Sequence, residues 1–229
     1  KAHSGNHRIV AGKPLPEALL AENPDEVHEG GANLRKQIEN VRIHGVSPVV
    51  AINRFPEDHN ADLEAIAEIA EECGARCAIT NHFSQGGEGA SELAEAVAEA
   101  TEEKTSFSVL YPDEMDIKEK IKTVATKVYG AENVEFSAAA TKQIDSYTEN
   151  GFGNLPVCIA KTHLSVSSDA SLKGAPTGWT LPVREVRASI GAGFVYPICG
   201  EMRTMPGLGK NPAAASIDID ENGEIVGLS

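Results

Sequence analysis

Three residues of mixed chemistry follow a short apolar run in the stretch VVAINRFPED. Residues 49–52 are β-branched at three of four positions, which predicts a buried strand of a parallel sheet. Pro56 ends that strand because it lacks an amide donor and restricts the residue before it. Ligands of open α/β sheets bind beyond the carboxyl ends of strands. We therefore expect Asn53, Arg54 and Phe55 to lie at a ligand site.

A second aromatic residue, Phe83, follows the next predicted strand, which ends in AIT. Two neighbouring parallel strands bring their carboxyl ends to the same rim, so Phe55 and Phe83 are predicted to lie together. Two ring faces can hold a flat heterocycle by offset stacking, worth about 0.5 to 1.5 kcal/mol per contact beyond area burial. The alternative is that both rings cap the sheet core. Aromatic residues make up only 5% of the chain, which favours the ligand interpretation.

Other segments with binding or reactive groups leave alternatives open. The loop GGEGASEL (86–93) opens a helix and can bind an anion through its amides, or it is a plain loop with Ser91 as helix cap. Lys161 and Thr162 follow an apolar strand and either meet an anionic group or form a solvated strand end. Trp179 is equally compatible with a structural or a functional role. GAGF (191–194) lacks the third glycine and the following helix of a dinucleotide fingerprint.

No catalytic or metal-binding residue is assigned from the sequence. The seven histidines show no HxH or HExxH spacing, and no nucleophile elbow or paired-carboxylate signature occurs. The four cysteines lack the second close pair of a zinc site. We expect all four, Cys73, Cys77, Cys158 and Cys199, to be free and structural, with Cys158 and Cys199 in apolar, buried settings.

Composition and charge restrict the partners. The 229 residues include 20 Lys and Arg against 34 Asp and Glu, a formal charge of −14. Such a chain repels phosphate backbones and anionic membrane surfaces, so neither nucleic acid nor membrane is expected as partner. No apolar stretch approaches the roughly 20 residues of a membrane span, and no signal peptide opens the sequence. We expect a cytoplasmic protein. The polar start at Lys1, without methionine, suggests the inside of a longer protein or a trimmed mature start.

The apolar periodicities predict an α/β fold with a mostly parallel sheet flanked by helices. An irregular Gly/Pro-rich C-terminal region ends in a hairpin at IDIDENGEIVGL. One or two helices are expected between residues 15 and 45. Further helices are predicted at 61–73, in the segment after the glycine-rich loop, at 115–129 and at 137–149. Strands are predicted at 48–53, 76–80, 106–111, 156–161, 181–189 and 193–199.

Several long stretches together resemble the C-terminal part of formate–tetrahydrofolate ligase. They include GANLRKQIENVRIHGVSPVVAINRFPEDHNADLEAI, NLPVCIAKTHLSVSSDASLKGAPTGW and LPVREVRASIGAGFVYPICGEMRTMPGLGKNPAA. The resemblance spans nearly the whole chain in order. It implies an enzyme that makes 10-formyltetrahydrofolate from formate, tetrahydrofolate and ATP through formyl phosphate. It also implies Mg²⁺ with the nucleotide, activation by monovalent cations, and a homotetramer.

The resemblance also implies roles for the residues at the strand ends. Phe55 and Phe83 correspond to the aromatic pair that sandwiches the pterin ring of folate, and Ile79 lines the same pocket. Asn53 and Arg54 are expected nearby. Phe83 departs from the tryptophan common in relatives, so the stacking face is kept while area and the indole N–H are lost.

A larger departure is the missing phosphate-binding loop, since no GxxxxGK[ST] motif occurs in the chain. Residues 1–47 are expected to be the remnant of the nucleotide-binding domain, and 48–229 the C-terminal α/β domain with the folate pocket. The chain is then a fragment or subunit of the ligase, inactive without its P-loop half. The alternative is a stand-alone folate-binding or scaffold module.

Overall fold

The computed structural model describes residues 1–10, 13–200, 202 and 212–227. Near the start of the chain a pair of parallel strands, β1 (Val49–Asn53) and β2 (Arg76–Thr80), is hydrogen-bonded along its full length. Six described helices surround this pair. They are α1 (Glu17–Leu20), α2 (Pro24–Gly30), α3 (Ala32–Arg42), α4 (Asn60–Glu72), α5 (His82–Gln85) and α6 (Ser91–Thr101).

Helix α4, which follows β1, packs its apolar face against helices α2 and α3, which precede β1. Ile69 packs with Val27 of α2, and Ala70 packs with Ile38 of α3. Ile38 is only 3% exposed, whereas Val41 on the next turn is 40% exposed. Residues before position 48 therefore pack against residues after it in this chain, and the predicted domain boundary at 47/48 stays a prediction.

A second sheet has the order β3–β4–β5, with β3 parallel to β4 and β4 antiparallel to β5. Helices α7 and α8 cover it around fully buried residues such as Ile117, Ile121 and Leu181. The elements are α7 (Ile117–Lys127), β3 (Asn133–Phe136), α8 (Ala138–Glu149), β4 (Thr180–Ser189) and β5 (Phe194–Cys199). The short hairpin of β6 (Asp218–Ile219) and β7 (Ile225–Val226) closes the described chain, as predicted. The predicted α/β class, with parallel strand pairs flanked by helices, is confirmed.

The strand predicted at 106–111 is wrong. This segment runs beside the loop after α3, where the Ser106 and Ser108 amides donate to the Gly45 and His44 carbonyls at 3.1 Å each. A Cβ on Gly45, whose φ is +74°, would lie 2.3 Å from the Ser106 carbonyl oxygen. The close approach therefore requires glycine. Phe107, between the two serines, is left 66% exposed.

The strand predicted at 156–161 is reduced to two single bridges, Val157 with Val195 and Ala160 with Ile198. The segment does run parallel to β5, because Cys158 donates to the Val195 carbonyl at 2.9 Å and Ala160 to that of Pro197 at 2.8 Å. Pro197 has no amide hydrogen to return, so the ladder is interrupted at its middle. Strand β3 was not predicted from the sequence.

The described cysteines are all free, as predicted, but Cys158 is exposed rather than buried. Ser91 is also not the cap of α6, since Ala90 takes that position and the Ser91 hydroxyl donates to the Glu88 carbonyl. Trp179 packs against the core beneath the β3–β4–β5 sheet and donates its indole N–H to the Pro176 carbonyl at 3.1 Å.

Among the described helices none has the length and hydropathy to cross a bilayer.

Ser137→Ala is expected to lower the free energy of unfolding by about 1 kcal/mol. Ser137 caps α8, where its hydroxyl oxygen accepts from the Ala140 amide at 3.0 Å and its hydroxyl donates to the Arg184 carbonyl. Urea unfolding measures the change. Ser146→Ala on the exposed face of the same helix is the control and is expected to be neutral. An equal effect of both substitutions would contradict the capping role.

Candidate functional site

The rings of Phe55 and Phe83 lie side by side at the carboxyl ends of β1 and β2. Their centroids are 5.2 Å apart and the ring planes are tilted by 53°. Phe55 is 46% exposed and Phe83 is 66% exposed, so neither ring is part of the sheet core. The parallel register, in which Asn53 pairs with Thr80, brings the two strand ends to one rim. The predicted proximity of the two rings is therefore confirmed.

The turn after β1 fixes Phe55. The Phe55 amide donates to Asp58 Oδ2 at 2.8 Å, and the Asp58 amide donates back to the Phe55 carbonyl at 3.0 Å. Pro56 presets its own backbone angle within this turn. The sequence interpretation missed Asp58, although a proline followed two residues later by aspartate is a recognisable turn signal.

Phe83 is carried by the short helix α5 directly after β2. The Asn81 amide donates to the Gly89 carbonyl at 2.9 Å. A Cβ on Gly89 would lie 2.8 Å from the Asn81 carbonyl carbon, so this glycine permits the contact. Thr80 is fully buried, and its hydroxyl lies 2.9 Å from His82 Nδ1. The glycine-rich loop thus packs against the segment that presents Phe83.

Phe55 also lines a cavity of about 500 Å³ between β1 and helices α1 to α4. Its walls are mostly apolar, with carboxamides from Asn33 and Asn53 and carboxylates from Asp58 and Asp62. Asp62 is largely buried. Its carboxylate accepts from the Asn23 backbone amide at 2.9 Å and pairs with the side-chain amine of Lys1 at 2.6 Å. An apolar cavity with a few convergent polar groups suits a small organic ligand.

The other predicted site residues are distributed around this rim. Arg54 turns its guanidinium to Asn60 Oδ1 at 2.9 Å, while its amide donates to the Thr80 carbonyl at 3.0 Å. Ile79 is half-buried and pairs with Ile52 across the two strands. Neither Arg54 nor Ile79 is among the described residues that line the cavity.

The two rings contact each other, so they leave no slot for a third ring. A flat ring between two parallel rings needs about 7 Å between them, twice a van der Waals contact of about 3.5 Å. Phe83 is the more exposed of the pair, and it is carried on a helix of only four residues. A ligand sandwiched between the two rings therefore requires the rings to separate.

The sequence has no P-loop, and the described residues hold no multi-ligand metal cluster, for a nucleotide with its metal. They contain no group of three or more histidine, cysteine, aspartate or glutamate side chains arranged to hold a metal ion. The sequence also lacks the GxxxxGK[ST] loop that cradles nucleotide phosphates. ATP and Mg²⁺ are therefore not assigned to residues of this chain.

The fold and the rim define an α/β protein with an exposed aromatic pair at the carboxyl ends of two parallel strands. The family model of formate–tetrahydrofolate ligase matches residues 1–229. The chain belongs to this family.

Curated relatives match the chain over its whole length. A formate–tetrahydrofolate ligase of Saccharopolyspora erythraea is 66% identical over 229 residues, covering 100% of this chain and 40% of the relative. Formate–tetrahydrofolate ligase 3 of Rubrobacter xylanophilus is 59% identical, with 100% and 41% covered. The Cutibacterium acnes enzyme is 55% identical, with 100% and 40% covered. The chain thus spans about two-fifths of the length of these relatives.

Proposed function

We propose that this chain supplies the tetrahydrofolate pocket of a formate–tetrahydrofolate ligase. Phe55 and Phe83 stack on the two faces of the pterin ring, and Ile79, Asn53 and Arg54 complete the rim. The observation that carries the proposal is the ring pair at 5.2 Å, placed at the ends of two parallel strands beside a largely apolar cavity. Membership of the family supports tetrahydrofolate as the flat heterocycle.

The same proposal assigns the remaining activity to residues outside this chain. A P-loop half binds ATP and Mg²⁺, and the complete enzyme forms formyl phosphate and transfers the formyl group to N10 of the folate. The contribution of this chain is to bind and orient the folate and to shield its pterin from water. We place the complete enzyme in the cytoplasm as a homotetramer activated by monovalent cations. Alone, the chain is inactive as a ligase.

A stand-alone folate-binding or scaffold module is the second candidate. It is favoured by the packing of residues 1–47 onto α4, since Val27 and Ile38 are covered within this chain. A gene neighbour that encodes the P-loop half, and ligase activity on mixing the two purified proteins, would decide for the split ligase. Folate binding without any gain of activity would favour the module.

Calorimetric titration of the purified chain with tetrahydrofolate tests the pocket. We expect saturable binding with a stoichiometry of one, and tighter binding by a few fold in Phe83→Trp because the indole offers a larger stacking face. Phe107→Ala removes a ring of equal exposure, 66%, outside the rim and is expected to leave binding unchanged. Absence of binding by the well-folded wild type would refute the pocket in this chain.

A further inference from the structure

A second cavity, of about 240 Å³, lies between helix α3 and the loop that follows Ala160. Asn33, Gln37 and Asn40 are spaced four and three residues apart, so their carboxamides share one face of α3. All three line this cavity. The opposite wall is formed by Tyr129 and the segment 161–166. The carboxamides of α3 thus form one wall of this cavity.

The charge of this cavity differs from that of the whole chain. Lys161, His3 and His163 line it, and no carboxylate occurs among the described lining residues. The chain as a whole carries a formal charge of −14. A cavity that is lined by cationic groups and contains no carboxylate attracts anions and raises their local concentration.

The contacts of Lys161 hold its amine in place without neutralising it. The amine donates to the Thr162 carbonyl at 3.1 Å and to the Ser165 carbonyl, and it lies 4.7 Å from the centroid of the Tyr129 ring. An ammonium has three N–H donors, so one remains after the two carbonyls. Burial lowers the pKa of Lys161 below its ordinary value, because the two carbonyls and the ring only partly replace the water lost from around the ammonium.

Two polar atoms of the lining are buried without a partner, His3 Nδ1 and Asn40 Oδ1. Burial, followed by the nearby Lys173, lowers the pKa of His3. A negatively charged group in the cavity would accept from His3 and stabilise its cationic form. Asn40 Nδ2 donates to Gln37 Oε1 at 3.3 Å, so the amide of Asn40 turns donor only if both carboxamides exchange oxygen and nitrogen.

We propose that this cavity binds an oxyanion, a carboxylate or a phosphate group, between Lys161, His3 and the carboxamides of α3. His3 and Asn33 line both this cavity and the larger one that Phe55 borders. The two cavities therefore adjoin. A carboxylate on the glutamate tail of a folate whose pterin lies at Phe55 is one source of the oxyanion, and free phosphate is the other. Only the glutamate source rests on the proposed function.

The experiment titrates the 229-residue chain with three probes at constant ionic strength. Inorganic phosphate is followed by amide chemical shifts, and tetrahydrofolate and tetrahydropteroate, which lacks glutamate, are followed by calorimetry. The site predicts saturable phosphate shifts in segment 161–166, and at least tenfold weaker phosphate binding in Lys161→Met. Lys142→Met, an equal charge change on the exposed face of α8, retains the wild-type affinity.

Two further variants guard against a folding defect. Lys161→Arg keeps the charge and is expected to keep most of the phosphate affinity, and Asn40→Leu removes one amide and weakens binding severalfold. Near-ultraviolet circular dichroism reports the fold of each. Phosphate binding that survives in a folded Lys161→Met protein overturns the proposal. So does a wild type in which phosphate shifts no resonance and the two pteridines bind equally.

The remaining outcomes separate the two sources and the two proposals. At least tenfold tighter binding of tetrahydrofolate than of tetrahydropteroate, lost in Lys161→Met, assigns the oxyanion to the glutamate tail. Phosphate binding with equal affinity for both pteridines supports a phosphate site. Phosphate binding without binding of either pteridine supports the oxyanion site while the proposed folate function fails.

Discussion

Replacement of both Phe55 and Phe83 by alanine is expected to weaken tetrahydrofolate binding by about 30-fold or more. Stacking of a heterocyclic base on an aromatic side chain is worth roughly 1–3 kcal/mol by alanine substitution. Two such contacts sum to about 2–6 kcal/mol, and each 1.4 kcal/mol is about a factor of ten. Calorimetric titration of the double variant beside the wild type measures the loss.

Because the two rings are exposed, this test separates a loss of binding from a loss of stability. Phe55 and Phe83 are 46% and 66% exposed, so their truncation removes little core packing and the fold is expected to persist. Phe107→Ala is the matched control, because Phe107 lies on His44 at 6.1 Å between ring centroids and is also 66% exposed. Unchanged affinity in the folded double variant would exclude the ring pair as the pterin clamp.

Single substitutions distinguish a clamp from a one-sided stack. The two rings contact each other, and a ligand between them must replace that contact before it gains its own. Either alanine substitution removes one stacking face and also the contact that closes the slot, but only Phe55 also lines the cavity of about 500 Å³. We therefore expect Phe83→Ala alone to cost less than Phe55→Ala, and the double variant to cost less than the sum if the rings act as a unit.

The largest expected effect on stability belongs to Lys120. This lysine of α7 is fully buried, and its amine donates to the Gly153 carbonyl at 3.1 Å and the Leu155 carbonyl at 3.0 Å. Truncation to alanine leaves both carbonyls without this donor and opens a cavity in the core. We expect Lys120→Ala to lower the free energy of unfolding by about 3–5 kcal/mol.

Guanidinium unfolding measures this loss against Lys122→Ala. Lys122 lies on the same helix and pairs with Glu119 at the surface, where the two side chains are 47% and 50% exposed. Its truncation makes the same charge change but is expected to leave the stability nearly unchanged. If the two variants unfold at the same denaturant concentration, the buried amine has no structural role.

The pH dependence gives Lys120 a second signature. Burial lowers the pKa of its amine below the ordinary value of 10.5, and the carboxylates of Asp113, Glu114 and Asp116 oppose that shift. At low pH both folded and unfolded chains carry the charge, so the cost of burying it is fully present. As pH rises, the folded chain loses the proton first. The stability of the wild type relative to Lys120→Met is therefore expected to rise with pH up to 10.5.

The sequence alone determined the strands and helices of strong periodicity. The β-branched run before Asn53 and the RCAIT segment form the predicted parallel pair, and helices α4, α7 and α8 follow the predicted apolar spacing. The parallel connection then placed Phe55 and Phe83 at one rim, because it aligns the carboxyl ends of both strands. Turn chemistry at FPED and the Asn-Gly hairpin were likewise local properties.

Only the tertiary structure decided features that depend on distant partners. Segment 106–111 has strand propensity, yet it pairs with the loop at Gly45 instead of a sheet edge. Segment 156–161 lies along β5, where Pro197 breaks the ladder, and β3 is too short and half polar to stand out in the sequence. The oxyanion cavity combines His3, Asn40 and Lys161, which lie far apart in the chain. Periodicity records which face of an element is buried, but it carries no information on which other segment covers that face.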